Sequence, residues 1–396
     1  MPHQKESSVI DFLILFFTVF YKYFMVDTQS SLTLLYFAVL ALIALMCLVK
    51  IYGRISRNEM PGLAGFPAAF VPAAFFVLAS TVLSKDANFA LPLLIAMAFA
   101  FDDIKALAKN FGLASGICLL GHLILFWLGV LQSPNLIRYT EDGIATRNSL
   151  GFTHPNNGFV FFMPVFLCAY LLIEEKRRKL LFYAFSAAAI AYIYLMTRTR
   201  TGFMIVLAVA ALTLISEEKL SRMKVLLVGA RFLYFILGGM SLFIALQFGP
   251  DVNSAVTKLF TGRPFIWYHY IELGIPLLGS GEPPAMPKEF ILPQYGMSVD
   301  NYYIYILISF GWVFFVLQGV FYYLAARQFE KSGKVKFIVA MAAFLAYGIS
   351  EELTIIPSIN FSLIYMFIFY INPEYFSRDG GSSSLSLRKV RTQNGG

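Results

Sequence analysis

Residues 301–326 read NYYIYILISFGWVFFVLQGVFYYLAA, and this run contains no charged side chain. About 20 apolar residues in a helix cross the roughly 30 Å hydrocarbon core of a bilayer. Water is absent from that core, so the backbone must pair its own polar groups, which favours helical structure. The stretch therefore predicts a transmembrane helix.

The whole chain shares this apolar character. Of its 396 residues, 58% are hydrophobic and 14% are charged, and the mean hydropathy is +0.69. A soluble domain of this length does not need so much apolar surface, so lipid is the expected solvent. The 41 Phe and 22 Tyr suit helices that face lipid and carry aromatic belts at the interfaces.

Apolar runs of this kind predict twelve spans. They cover residues 9–27, 32–51, 62–83, 88–102, 111–131, 156–173, 180–197, 201–216, 225–248, 301–326, 337–350 and 355–371. The fourth, eighth and eleventh are short, so tilted or re-entrant segments are alternatives there. The predicted fold is an all-α polytopic membrane protein with about 12 transmembrane helices, in a single integral membrane domain over residues 1–376. The Ser-, Gly- and Arg-rich residues 377–396 predict a disordered cytoplasmic tail.

Lysine and arginine fall unevenly on the two sides that these spans define. With the N-terminus inside, 22 of the 31 Lys and Arg lie in inner segments and nine lie in outer segments. Positive charge concentrates on the cytoplasmic side of membrane proteins, so both termini are predicted to be cytoplasmic. The net charge of +8 then reflects topology and anionic lipid rather than a nucleic-acid partner.

Two predicted outer loops, at residues 132–155 and 249–300, are too long to be simple connections. Loops beyond about 12–15 residues in a compact protein are usually functional or disordered. Pro264 in the second loop suits the first turn of a short helix, and the aromatic residues Trp267, Tyr268 and Tyr270 suit a helix that lies in the interface. Such a helix could cover a cavity open to the outer leaflet, or it could be an interfacial element with no part in catalysis.

Arginines at the outer ends of the spans are candidate anion-binding groups. Arg198 and Arg200 lie in the turn Thr-Arg-Thr-Arg-Thr-Gly that ends at Gly202, and Arg263 lies in Thr-Gly-Arg-Pro. A lone arginine there would be explained by snorkelling to the headgroups. Two arginines between hydroxyls instead favour phosphate, to which both groups donate.

Arg263 precedes a predicted helix start, where backbone amides also favour an anion. A loop salt bridge, for example with Glu272 or Asp251, is the alternative. On a membrane surface, a lipid-linked phosphate or diphosphate fits best.

Further polar residues flank the same loops. Arg147, His154 and Asn156 close the first loop, and His154 could act as a base or could pair at the start of the sixth span. Asp300-Asn301 opens the tenth span, where such a pair also fits an ordinary helix cap.

Two further observations limit the chemistry. Glu351-Glu352, between the last two spans, is interpreted as a solvated turn rather than a metal site. The sequence has no phosphate-binding loop, no Cys/His metal spacing and no dinucleotide fingerprint. We therefore expect no metal or cofactor, and a substrate that reaches the outer face already activated.

Taken in order, these motifs resemble the O-antigen ligase/polymerase superfamily. The resemblance rests on the run from Arg147 to Asn156, the turn ending at Gly202, Gly262-Arg263-Pro-Phe-Ile-Trp267, Gly279-Ser-Gly281, and Asp300-Asn301 followed after nine residues by Gly311. Within the superfamily the chain looks most like the Wzy-type polysaccharide polymerases of O-antigen, capsule and exopolysaccharide synthesis. The ligases carry a histidine where this chain has Asp300, which argues against the lipid A ligase branch.

The resemblance implies a fold similar to GT-C glycosyltransferases, with a long extracytoplasmic loop that carries short helices. It implies metal-independent, inverting joining of undecaprenyl-diphosphate-linked oligosaccharide repeat units at the outer face of a bacterial cytoplasmic membrane. Other partners would be membrane lipids, a flippase and a chain-length regulator. The alternatives are a glycan ligase of the same superfamily and, from another class, a lipid-linked oligosaccharide flippase.

The resemblance also implies roles for individual residues. Arg200 and Arg263 would bind the diphosphate, and Arg198 is an alternative in the same turn. Asp300 would orient or deprotonate the acceptor hydroxyl. The remaining motif residues would bind and position the substrate; they are Arg147, His154, Asn156, Trp267 and Asn301.

Overall fold

The computed structural model describes residues 9–23, 33–57, 59–60, 70–84, 90–133, 136–140, 143–287 and 299–372. Within these ranges the chain is helical apart from loops and one antiparallel hairpin, β1 (Leu136–Thr140) and β2 (Gly143–Arg147). The α-helices are α1 (Val9–Tyr21), α2 (Thr33–Ser56), α3 (Phe70–Ser84), α4 (Leu91–Phe99), α5 (Ile104–Trp127), α6 (Asn157–Leu172), α7 (Lys176–Thr197), α8 (Arg200–Thr213), α9 (Glu217–Arg222), α10 (Lys224–Phe248), α11 (Ala255–Leu259), α12 (Arg263–Glu272), α13 (Tyr302–Lys331), α14 (Val335–Tyr347) and α15 (Ser362–Ile371). A 3₁₀ turn, Glu352–Ile355, lies between α14 and α15.

Membrane-length helices confirm the predicted all-α membrane class. In the described ranges, α2, α5, α7, α10 and α13 are long and apolar enough to cross a bilayer, and six shorter apolar helices of 10–17 residues accompany them. The structure does not show the finer count of twelve spans. In the described part of the predicted fourth span, residues 90–102, only the nine residues of α4 are helical, and they extend about 14 Å. The predicted tail at 377–396 lies outside the described residues.

Ion pairs gather at one end of the helix bundle. Lys50 at the end of α2 pairs with Asp11 of α1, and its Nζ lies 2.6 Å from Asp102 Oδ2, just before α5. Arg231 of α10 pairs with Glu330 near the end of α13, with 2.5 Å between Nη2 and Oε2. All these groups belong to helix ends that were predicted to be cytoplasmic. The opposite ends of α5, α7, α10 and α14, and the start of α13, therefore lie together at the far end of the bundle.

The short helix α12 is held at that far end by its own apolar cluster. Trp267 is fully buried and Tyr270 is 6% exposed, and both pack with Ile244 of α10 and Ile304 of α13. Trp267 and Tyr270 therefore pack against the helices beneath them, and the location of α12 in the membrane interface stays a prediction. This packing fixes the start of α12, where Arg263 lies.

The helix α13 is broken at Gly311, and the second outer loop fills the break. Gly311 has φ 86° and ψ −179°, a conformation essentially restricted to glycine. The amides of Gly279 and Gly281 donate to Phe310 O and Ser309 O, at 2.8 and 2.7 Å. On the other side of the break, the amide of Trp312 donates to Pro276 O at 3.1 Å. Residues 276–281 thereby pair with the polar groups that the break exposes. These contacts anchor the second predicted outer loop to α13.

Candidate functional site

Five separated parts of the chain meet at the far end of the bundle. They are the end of β2 with the start of α6, the turn between α7 and α8, the start of α12, the residues before α13, and the segment after α14. Each of these parts except the last contains a motif that the sequence analysis selected. Hydrogen bonds and ion pairs connect them into one site.

Arg147 joins the first outer loop to two helices. Its Nε donates to Thr197 O at 2.9 Å, and its Nη2 donates to Asn156 Oδ1 at 3.2 Å and to Thr199 Oγ1 at 2.9 Å. The half-buried guanidinium therefore holds the end of β2, the start of α6 and the turn between α7 and α8 together.

Asn156 continues the connection to the second arginine. Its Nδ2 donates to Glu351 Oε1, which lies 3.7 Å from Arg263 Nη2. The same Nη2 donates to Asp300 Oδ2 at 3.0 Å. Arg147, Asn156, Glu351, Arg263 and Asp300 thus form a continuous chain of contacts, here called the arginine–carboxylate network. The predicted alternative, in which Arg263 forms a salt bridge, is confirmed, but its partners are Asp300 and Glu351 rather than Glu272 or Asp251.

The acidic pair after α14, Glu351 and Glu352, is not solvated as the sequence analysis expected. Glu351 is only 6% exposed and Glu352 is half-buried, so they do not form a solvated turn. The segment after α14 folds back toward α6 and α12, where Asn156 and Arg263 offset the Glu351 charge. Burial raises the pKa of Glu351 to about 8, against the lowering effect of Arg263, and raises the pKa of Glu352 to about 7.

His154 has the structural role that was one of its two predicted alternatives. Its Nδ1 accepts a hydrogen bond from the backbone N–H of Asn156 at 3.2 Å, just before α6 begins. Burial lowers the pKa of His154 to about 4, with nearby Arg147 and Arg263 acting in the same direction and Asp300 opposing. The imidazole is therefore neutral near pH 7, and Nδ1 is already used as an acceptor.

The two arginines of the turn between α7 and α8 make no hydrogen bond or ion pair with the described residues of the network. Arg198 and Arg200 are exposed, while Thr197 and Thr199 are buried and contact Arg147. Within the described residues, neither exposed guanidinium makes an ion pair or hydrogen bond. The structure thus separates Arg200 from the Arg263 contacts, and leaves its charge available at the surface of the same end.

The polar groups of Trp267 and Asn301 form hydrogen bonds with protein atoms on either side of Asp300. Trp267 Nε1 donates to Val299 O at 2.6 Å. Asn301 is fully buried and caps α13, with Oδ1 accepting from the amides of Tyr303 and Ile304, both at 3.0 Å. The structure therefore gives both residues a positioning role, in which they hold the backbone on either side of Asp300.

Strained backbone marks the same end of the molecule. Within the described ranges, the non-glycine residues with positive φ are Leu150 (57°), Arg198 (51°), Thr261 (56°) and Asp300 (41°). Side-chain-bearing residues rarely adopt this conformation, and surrounding contacts must hold it in place. Each residue lies in or next to a segment that supplies the network, so the site is built on a constrained backbone.

Comparisons with known proteins found no match. No family model, curated protein or solved structure matches the chain. Among the described residues, no group of three His, Cys, Asp or Glu side chains is placed to hold a metal ion.

Proposed function

We propose that this protein is a polysaccharide polymerase that joins lipid-diphosphate-linked oligosaccharide repeat units. The observation that supports it most strongly is the arginine–carboxylate network, in which motifs far apart in sequence contact one another. The Arg263 guanidinium lies beside two carboxylates, and Arg147 is linked to them through Asn156, so the network supplies both an anion-binding function and a proton-accepting function. Glycosyl transfer from a lipid diphosphate requires both.

The leaving diphosphate is the group that the arginines would stabilise. As the bond between sugar C1 and the diphosphate oxygen breaks, negative charge grows on the leaving oxygens. Arg263 is the first residue of α12, so its guanidinium lies at the positive end of the helix dipole, which also favours an anion. Donors already in position stabilise that charge more in the transition state than in the ground state. Arg200, which is exposed at the same end of the bundle, would bind the diphosphate at the edge of the site.

Asp300 is the proposed partner of the acceptor hydroxyl. Its side chain is 29% exposed, against 7% for Glu351, so it is the more accessible of the two carboxylates bound to Arg263. The hydroxyl oxygen attacks C1 and gives its proton to Asp300 as the diphosphate leaves. General-base assistance of this kind contributes roughly 10²–10⁴-fold to a rate.

The proposed topology has twelve crossings, cytoplasmic termini and the network on the outer side of a bacterial cytoplasmic membrane. The described helices support one part of this, because the ends rich in Lys and Arg lie opposite the network. An undecaprenyl carrier and a site on the outer face remain parts of the proposal.

Cysteine accessibility tests the orientation. The native Cys47, Cys118 and Cys168 are buried, which gives a low labelling background. We expect Asn253→Cys, exposed near the network end, to react with a membrane-impermeant maleimide in intact cells. Ser221→Cys, exposed on α9 at the other end, should react only after permeabilisation. The opposite result would place the network in the cytosol and would exclude the proposal.

Glycan ladders from a deletion strain test the reaction class. Loss of a polymerase leaves single repeat units on the lipid carrier or its final acceptor. Loss of a ligase instead leaves long unattached chains, and loss of a flippase leaves repeat units on the cytoplasmic side. We expect single units that have reached the outer face; long unattached chains would assign the protein to the ligases.

A further inference from the structure

We propose that Glu351 takes up a proton when a lipid diphosphate binds to Arg263, so that the guanidinium exchanges a buried carboxylate for the ligand. This inference rests on the proposed function and concerns the regulation of the same site. It assigns a role to a residue that the motifs did not identify.

The geometry gives Arg263 two carboxyl partners before any ligand arrives, and both are anionic above about pH 8. Its Nη2 lies 3.0 Å from Asp300 Oδ2 and 3.7 Å from Glu351 Oε1. A bound diphosphate would be a third anionic group around one guanidinium, and like charges at such distances disfavour one another. One carboxylate must then be neutralised. Glu351 is the more buried of the two, so its ionised form is the more costly to keep.

The surroundings of Glu351 offer little other compensation. Asn156 Nδ2 donates to Oε1, and this neutral amide can donate equally to the oxygen of a protonated carboxyl group. Tyr347 of α14 is buried, and its hydroxyl makes no hydrogen bond within the described part of the chain. The charged and titratable groups that face this carboxyl or its partners are Arg263, Asp300, Glu352, Tyr347, Arg147, His154 and Lys22.

The pKa of Glu351 places this exchange above about pH 8, where the carboxyl group of the free protein is ionised. Burial raises it to about 8 while Arg263 lowers it. A diphosphate that occupies Arg263 removes the lowering effect and adds negative charge, so the pKa rises further in the complex. Linkage then requires proton uptake between the two pKa values, and affinity should fall up to about tenfold per pH unit above pH 8.

Isothermal titration calorimetry of the purified full-length protein with farnesyl diphosphate tests the proposal. Titrations at pH 9, in two buffers of different ionisation enthalpy, report the protons taken up on binding. At this pH the ligand is fully ionised, since the last phosphate pKa lies near 6. We expect uptake approaching about one proton by the wild-type protein.

Glu351→Gln resembles the protonated side chain and keeps an oxygen for Asn156. We expect it to bind as tightly as wild type at pH 7, without proton uptake at pH 9, and with constant affinity between pH 8 and 9.5. Glu352→Gln is the matched control and should retain uptake. Wild-type binding without uptake, or uptake that survives Glu351→Gln, would overturn this inference and leave diphosphate binding intact. Absence of binding by the wild-type protein at any pH would overturn the proposed function as well.

Discussion

Arg263→Ala is expected to abolish chain extension while the protein remains in the membrane at wild-type abundance. Arg263 is the only cation in direct contact with both carboxylates of the network among the described residues. In the proposed reaction it stabilises charge that develops on the leaving diphosphate. Loss of one such preorganised donor typically costs about 10²–10³-fold in rate, and loss of a charged donor to a diphosphate should be at the upper end.

We expect the membrane abundance of Arg263→Ala to equal that of wild type, because Glu351 can stay protonated when Arg263 is absent. Without Arg263, the buried carboxyl group keeps its proton near neutral pH, so no uncompensated charge remains in the interior. Glycan ladders from a complemented deletion strain measure the activity, and immunoblots of isolated membranes measure the abundance. Arg231→Ala is the control, since Arg231 pairs with Glu330 at the opposite end and should leave the ladder unchanged. A full-length ladder from Arg263→Ala would remove this residue from the mechanism.

Gly311→Ala is expected to destabilise the protein strongly, although it adds only one methyl group. At φ 86° and ψ −179° a residue with a Cβ is strained by about 1–3 kcal/mol. A Cβ at this position would also lie 2.5 Å from Pro276 O and 2.7 Å from Leu277 O, which are backbone atoms of the anchored loop. The loop must then leave the break in α13, and the amide and carbonyl groups on both sides lose their partners.

Thermal aggregation of the detergent-purified protein measures this effect. Gly311→Ala should aggregate at a clearly lower temperature than wild type. Gly239→Ala is the matched control, because Gly239 lies inside α10 with nothing within 4 Å of an added Cβ. There alanine should be neutral or stabilising by about 0.5–1 kcal/mol. Equal behaviour of the two variants would show that the loop does not depend on the break in α13.

Composition was sufficient to predict the class of fold, but not the number of crossings. Lipid as solvent follows from long uncharged runs such as residues 301–326. Hydropathy does not set helix length, however, because turns inside an apolar run break it without changing its composition. The predicted span at 88–102 shows this, since its described residues, 90–102, are helical only over Leu91–Phe99. The hairpin in the first outer loop was missed, although Asp142-Gly143 is a recognised hairpin signal.

The motifs supplied most of the network, but their contacts depend on the folded chain. Arg147, Asn156, Arg263 and Asp300 were all selected from the sequence, whereas Glu351 was set aside because an acidic pair between two spans is usually solvated. Its burial depends on how the segment after α14 packs, which local sequence does not specify. A useful signal was its predicted place on the same side of the membrane as Arg147, Arg198, Arg200 and Arg263.

The turn between α7 and α8 shows a second limit of sequence reasoning. Alternating Thr and Arg residues led to the prediction that the arginines bind the anion, which stays a prediction, but they did not indicate that the threonines contact the network. In the structure, Arg198 takes a left-handed conformation, and the threonines on either side of it contact Arg147. Which of two alternating residue types faces inward depends on that single backbone conformation, and the pattern itself fits either choice.

Reconstitution of the purified protein with lipid-linked repeat units, and with no other protein, tests the central claim most directly. In proteoliposomes that contain undecaprenyl-diphosphate-linked repeat units, we predict longer glycans and one undecaprenyl diphosphate released for each linkage formed, with both lost in Arg263→Ala. Movement of the repeat units across the bilayer without any increase in glycan length would contradict the claim and would identify a flippase.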